Sequence, residues 1–241
     1  MRQNTENESS MNRRQFVATA AVGCVSVSAG CLSGLIDDAT TFSASPAVVD
    51  ESAADEAGYE YQGTEETVRS ETVAGEDIEA TNYISEYTRT IETPLGALGG
   101  DVDAGVFAVI TTPQVSVAGE DFNPVGDMSS EEIVQLIQDQ YDELEIENDI
   151  GGRTVDTLDS TISLDSYEGE ATFQGQQGVD VFLDIATPDY GGDHFVIVAV
   201  YPDDGDLPLE PERDRVDVMI RGLEHGDDVD AELVEDDVDD E

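Results

Sequence analysis

Fifty-seven aspartates and glutamates face nine basic residues in this chain of 241, giving a formal net charge of −48, and all nine basic residues are arginine. Self-repulsion on that scale leaves two physical states. One is a chain too charged to repay its conformational entropy by burying apolar surface. The other is a folded domain in concentrated salt, where the Debye length falls to about 3 Å and neighbouring carboxylates hardly sense one another. A hydrophobic fraction of 39%, gathered in patterned segments, favours the folded state. The composition therefore reads as that of a salt-adapted protein whose carboxylates keep it hydrated and soluble. The same surface repels nucleic-acid phosphates and anionic lipid headgroups, so nucleic acid is excluded as a partner.

The N-terminal stretch supplies a location. Asn12-Arg13-Arg14-Gln15-Phe16 opens an uncharged run that continues to Gly30 and is followed by Cys31. The run is diluted by Thr19, Gly23, Ser26 and Ser28 and falls short of the about 20 apolar residues that a membrane-spanning helix requires. Positive charge followed by a short apolar region is the layout of an export signal. Arg13, Arg14 and Phe16 resemble a twin-arginine signal, the class that exports folded proteins, although Asn12 stands where that class usually has serine or threonine. Ser28-Ala29-Gly30-Cys31 resembles a lipobox, in which small residues precede the cysteine that takes a thioether-linked lipid. Ala21-Val22-Gly23-Cys24 is a rival site, but it leaves a shorter apolar region and a second cysteine behind it. With cleavage after Gly30 the mature chain begins at a lipidated Cys31 and has no thiol for a disulfide. A single acyl chain binds membranes only marginally, so the resemblance implies a two-chain lipid. Met11 is an alternative start that would bring the arginines close to the terminus.

Residues 1–30 thus read as a signal peptide, 31–41 as a tether, 42–225 as one domain and 226–241 as an acidic disordered tail. Val48–Ala57 predicts a short helix ending at Gly58. Strands are expected at Tyr59–Tyr61, Thr67–Thr72, Ile78–Ile91, Thr154–Leu158 and Thr161–Leu164. Val106–Ile110 and His194–Tyr201, apolar on both faces, are expected at the centre of a sheet. Gly175–Gly178 reads as the loop of a hairpin whose second arm, Val179–Ala186, turns Asp180 and Asp184 outward. Ser129 and Glu132 form a capping box before a helix carrying Ile133, Leu136 and Ile137. Val216, Met219, Ile220 and Leu223 mark a last helix from about Pro211 to His225. The expected class is α+β: an antiparallel sheet with two main helices packed on it, an α/β sandwich with some similarity to the Mog1/PsbP type.

Catalytic patterns are scarce. The chain has no phosphate-cradling loop, nucleophile elbow or His-Glu-x-x-His zinc signature, and without lysine it cannot form a Schiff base. Asp193 next to His194 could be a carboxylate-oriented base, but a strand-end histidine with an ordinary hydrogen bond is the preferred reading of the pair. His225 falls at a helix C-terminus, where a cation suits the dipole. Asp203-Asp204-Gly205-Asp206 offers oxygen ligands but lacks the ligand spacing of a calcium loop. Tyr59, Tyr61, Tyr83 and Tyr87 could line a ligand face, but tyrosines at period two more often cover a sheet edge or core rim. No metal, cofactor or catalytic residue is assigned.

The leader, the absence of lysine, and the segments Gly58-Tyr59-Glu60-Tyr61, Asn123-Pro124-Val125 and Gly222-Leu223-Glu224-His225 together resemble a haloarchaeal lipoprotein family whose domain has no assigned function. The resemblance implies a domain on the outer face of the cell membrane, anchored through Cys31, with an unknown protein or small ligand as partner. A non-enzymatic binding module is the first expectation. The alternative is an exported hydrolase using Asp193, His194 and further carboxylates.

Overall fold

The computed structural model describes residues 41–73, 76–92, 101–117, 120–121, 128–140, 144–173, 176–203 and 212–234. The leader with Arg13, Arg14 and Phe16, the lipidation position Cys31 and the residues after Val234 lie outside the described residues. Two short strands, β1 (Thr41–Ser43) and β2 (Ala47–Val49), lead into helix α1 (Glu51–Ala57). The antiparallel strands β3 (Glu60–Val73), β4 (Glu76–Glu92) and β5 (Asp101–Pro113) follow, then the small ribbon of β6 (Ser116–Val117) and β7 (Glu120–Asp121). Helix α2 (Ser130–Gln140) precedes β8 (Leu144–Thr157), β9 (Ser160–Phe173) and β10 (Gln176–Ala186). The chain closes with β11 (Asp189–Tyr190), β12 (Asp193–Pro202), α3 (Glu212–Arg221), β13 (Leu223–His225) and β14 (Leu233–Val234).

Ten of these strands form one sheet, whose main path runs β14-β3-β4-β5-β12-β10-β9-β8, with β1 added to β4 and β11 to β12. The strands β1 and β14 join in parallel and the others antiparallel, so the sheet is mixed. The expected α+β sandwich with two main helices is therefore corrected. The domain is predominantly β, and its three described helices span 7, 11 and 10 residues. Strands of 13 to 17 residues do most of the building. The segments expected as separate strands at Thr154–Leu158 and Thr161–Leu164 are the tip of one long hairpin, β8–β9. Its two-residue turn is Leu158-Asp159, both at positive φ (47° and 56°), as a hairpin turn matched to strand twist requires.

The core forms on both faces of the sheet. On one face Tyr87, Phe107, Phe195, Ile197 and Tyr201 pack with Ala54 and Ala57 of α1 and with Val216, Met219 and Ile220 of α3. On the other, Ile84, Ala108, Ile110, Val181, Leu183, Val196 and Val198 pack with Ile133, Val134 and Ile137 of α2. Double coverage explains why β5 and β12 read as continuous apolar runs, and both are central, as expected. The expected strand Ile78–Ile91 lies within β4 and is likewise covered on both faces, because Ile84 and Tyr87 enter opposite cores. Tyr61 packs on Tyr87 with ring centroids 5.0 Å apart, while Tyr83 stays near the surface and donates to Glu66 at 3.1 Å. Two of the four tyrosines, Tyr59 and Tyr87, are therefore core residues.

Local signals fix the helix starts. Ser129 and Glu132 exchange hydrogen bonds at the head of α2, the Ser129 amide donating to Glu132 at 2.8 Å and the Glu132 amide to the Ser129 hydroxyl at 3.3 Å. The Ser129 amide and then its hydroxyl, both donating to the Glu132 carboxyl, hold that group below its ordinary range. Asp50 caps α1 by accepting from the Ser52 amide at 3.1 Å, and Gly58 ends that helix in the left-handed region at φ 75°.

Candidate functional site

Asp193 opens β12 and His194 follows it, so the alternation of a strand sends their side chains to opposite faces. They do not form a pair. His194 reaches Asp189 across the β11–β12 turn through Nδ1, and Asp189 is largely exposed. Asp193 points into the fold instead. Its Oδ2 accepts from His225 Nε2 at 2.9 Å and from the Ser45 amide at 2.8 Å.

His225 does not sit at a helix end, since α3 stops at Arg221 and residues 223–225 form β13 against β2. Its ring lies edge-on to Phe195 at 4.9 Å and to Tyr190 at 5.8 Å, and both it and Asp193 are buried. Gly191, at φ 67°, closes the far side, where an added Cβ would stand 3.0 Å from His225 Nδ1. Ser45 offers this histidine no nucleophile, because its hydroxyl donates to Asp227 at 2.8 Å. The Asp193 cluster thus stitches the segment before β2 and the segment after α3 to the central strand.

A second polar cluster lies between α3 and the sheet. Asp184 was expected to face solvent, yet it is 1% exposed and faces the core beneath α3. It accepts from Tyr201 at 2.7 Å and from Ser166 at 2.5 Å, and pairs with Arg153 at 2.8 Å. Arg153 also donates to Asp217 of α3 at 2.7 Å. Burial alone would lower the Arg153 guanidinium, but the hydrogen bonds and charges of Asp184 and Asp217 outweigh it and move it upward. Burial and then the Asp184 charge push the Tyr201 phenol up.

Near the start of α3, Glu212 is buried against Arg89, with Arg215 Nε 3.6 Å away. Arg215 in turn donates to the Ala57 carbonyl at the end of α1 at 3.1 Å. Arg213 stands 5.8 Å over the Phe182 ring, and Arg221 donates to Asp217 at 3.4 Å. Of the six arginines beyond residue 30, five therefore gather around α3. Composition alone could not single out Asp184 among 57 acids; the useful signal was the scarcity of arginines, which marks where buried carboxylates are neutralised.

Among the described residues no group of three or more His, Cys, Asp or Glu is arranged to hold a metal ion, and no helix is long and apolar enough to cross a membrane. Asp203 is described, while residues 204–206 of that acidic loop lie outside the described residues.

A family model described as a domain of unknown function, DUF6517, matches residues 46–224. The chain belongs to that family. No curated protein matches it. The matched span runs from the residue before β2 to the middle of β13, so the DUF6517 unit is the part of the chain closed by that strand pair. The buried Asp193 and the arginine cluster under α3 both lie within it.

The two aspartate–histidine pairs differ in consequence. Asp193→Ala orphans His225 Nε2 and the Ser45 amide, at about 1–3 kcal/mol for each buried group left unsatisfied. His194→Ala removes a surface pair and is expected to cost less than about 1 kcal/mol. Urea unfolding of the two variants in molar KCl measures the difference, and equal losses would contradict the distinct placement of the two pairs.

Proposed function

We propose that this DUF6517 chain is a non-enzymatic binding module of a haloarchaeal cell surface, exported by the twin-arginine route and held at the outer face of the membrane by a lipid on Cys31. The observation that carries the non-enzymatic reading is the use made of Asp193, which holds His225 and Ser45 together and stands apart from His194. Asp193 and His225 are engaged in joining chain segments, and the hydroxyl of Ser45, which shares Asp193 with that histidine, is bonded to Asp227. The leader residues support the location, and the acidity of the chain leaves the lipid as its means of attachment. The partner is a protein or small ligand met near the membrane surface.

The anchored protein, captured in molar salt and digested, is expected to yield an N-terminal peptide beginning at Cys31 and carrying lipid. Recovery of an unmodified Cys31 peptide with Gly30 still attached would overturn the anchoring. The capture reports bound partners as well, and turnover of any of a panel of ester, glycoside or peptide substrates that is lost in His225→Ala would overturn the non-enzymatic reading.

A further inference from the structure

Residues 44–57 are held to the fold differently from the rest of it. After β1, which adds three residues beside β4, the chain leaves the main sheet and crosses its face. Among the described residues β2 pairs only with β13, a strand of three residues that is itself outside the main sheet. The other ties are single hydrogen bonds. The Ser45 amide donates to Asp193 at 2.8 Å, while the Ser45 carbonyl accepts from the Thr111 hydroxyl at 2.8 Å. Further on, the Val49 amide donates to the Tyr87 hydroxyl at 2.7 Å and the Asp50 amide to the Gly222 carbonyl at 2.8 Å. Arg215 reaches the Ala57 carbonyl at the end of the segment.

Its packing is light as well. The buried side chains it contributes are those of Ala44, Ala47, Val48, Val49, Ala54 and Ala57, and side chains of that size bury little apolar area. The large ones they meet, Tyr87, Phe107, Phe195, Met219 and Ile220, belong to the sheet and to α3. The ladders β3–β4, β4–β5 and β5–β12 contain no residue of the segment, so its departure leaves them whole. Gly58, left-handed at φ 75°, ends α1 just before β3 begins.

We propose that residues 44–57 are a detachable strap, which lifts off the sheet as one unit about Gly58 while the sheet, α2 and α3 stay folded. A region with few large buried contacts opens at a lower free energy than the whole domain. The bonds to Asp193, Thr111, Tyr87 and Gly222 break together, because the residues that make them lie on one short stretch of chain. Opening uncovers the Asp193–His225 pair. It also frees a carboxylate and two hydroxyls that are set to hold the backbone of an extended chain, whose occupant in the closed state is the strap itself. Neither the lipid anchor nor the partner proposed above is needed for this motion.

Amide hydrogen exchange of the whole chain in molar KCl, followed by NMR at several low urea concentrations, tests the strap. The amides of Ser45, Val49 and Asp50 are expected to share one protection factor, at least about tenfold below that of β5 and β12. It should hardly depend on urea, because a local opening exposes little surface. Thr111→Val withdraws the donor from the Ser45 carbonyl and is expected to lower the strap protection about tenfold. Ile137→Val, in the core on the opposite face, is expected to lower the protection of β5 and β12 about fivefold through global unfolding and to leave the strap unchanged. Equal protection of strap and central strands, strap amides with unrelated protection factors, indifference of the strap to Thr111→Val, or a strap that follows Ile137→Val as the central strands do would each overturn the proposal.

Discussion

Replacing Arg153 with alanine is expected to destabilise the domain by about 3–5 kcal/mol, the range for removing one member of a buried ion pair and stranding the other. Asp184 would retain only the Ser166 and Tyr201 hydroxyls in a position 1% exposed to solvent. Asp217 would lose its bond from β8, and with it one tie between α3 and the sheet. The loss comes from the uncompensated charge, so relieving that charge should recover much of it. Adding Asp184→Asn to Arg153→Ala is expected to cost less than the sum of the single changes, because residues in one network couple. Urea melts in molar KCl give all three values, and strict additivity would show that the two side chains do not act as a unit. The upward displacement of the Arg153 guanidinium carries a sign as well. A raised basic group stabilises the fold below its unfolded pKa and ceases to do so only as pH rises through the folded value. The Arg153 contribution is therefore flat across neutral pH.

Dilution from molar salt to about 0.1 M is expected to unfold the same protein. At that ionic strength the screening length grows to about 10 Å, so repulsion among the exposed carboxylates of a chain with 57 acids and nine arginines is far less damped. Salt acts unequally on the charges described above. The pairs buried under α3 are poorly screened in any buffer, whereas the exposed glutamates of β3 and β8 repel once counterions are withdrawn. The salt dependence should thus survive in Arg153→Ala, displaced to higher salt by the stability already lost. Circular dichroism across the dilution measures the transition, and a spectrum and cooperative melt unchanged at 0.1 M would contradict the salt-adapted reading.

The features legible in the sequence were local ones. Ser129 and Glu132 announced α2 because a capping box is complete within four residues. Val106–Ile110 and His194–Tyr201 announced the central strands because both faces of each are apolar. What escaped depended on partners far along the chain. Asp184 looked like the wet side of an alternating strand, and nothing nearby says that Arg153 and Tyr201 await it. Asp193 looked paired with His194 by adjacency, whereas the strand geometry turned it toward His225, 32 residues away. The class was misjudged for a related reason. Bulges at Tyr61–Gly63 and Asp149–Gly151 interrupt the two-residue period, so long strands read as short ones and two clear helices gained undue weight. The segment after His225 read as a tail by composition, yet Leu233–Val234 reaches β3 by backbone pairing, which composition does not report.

The pairing of β2 with β13 has a meaning in time as well as in space. Ala47–Val49 is made well before its partner Leu223–His225. Contacts so distant in sequence form late and slowly, after a large loop has been closed. A growing chain therefore cannot complete its core before Leu223–His225 has been made. Closure awaits that segment, and until then β2 and α1 have no counterpart from β13 and α3. Any route that carries this domain across a membrane in its folded form would have to wait for that short strand.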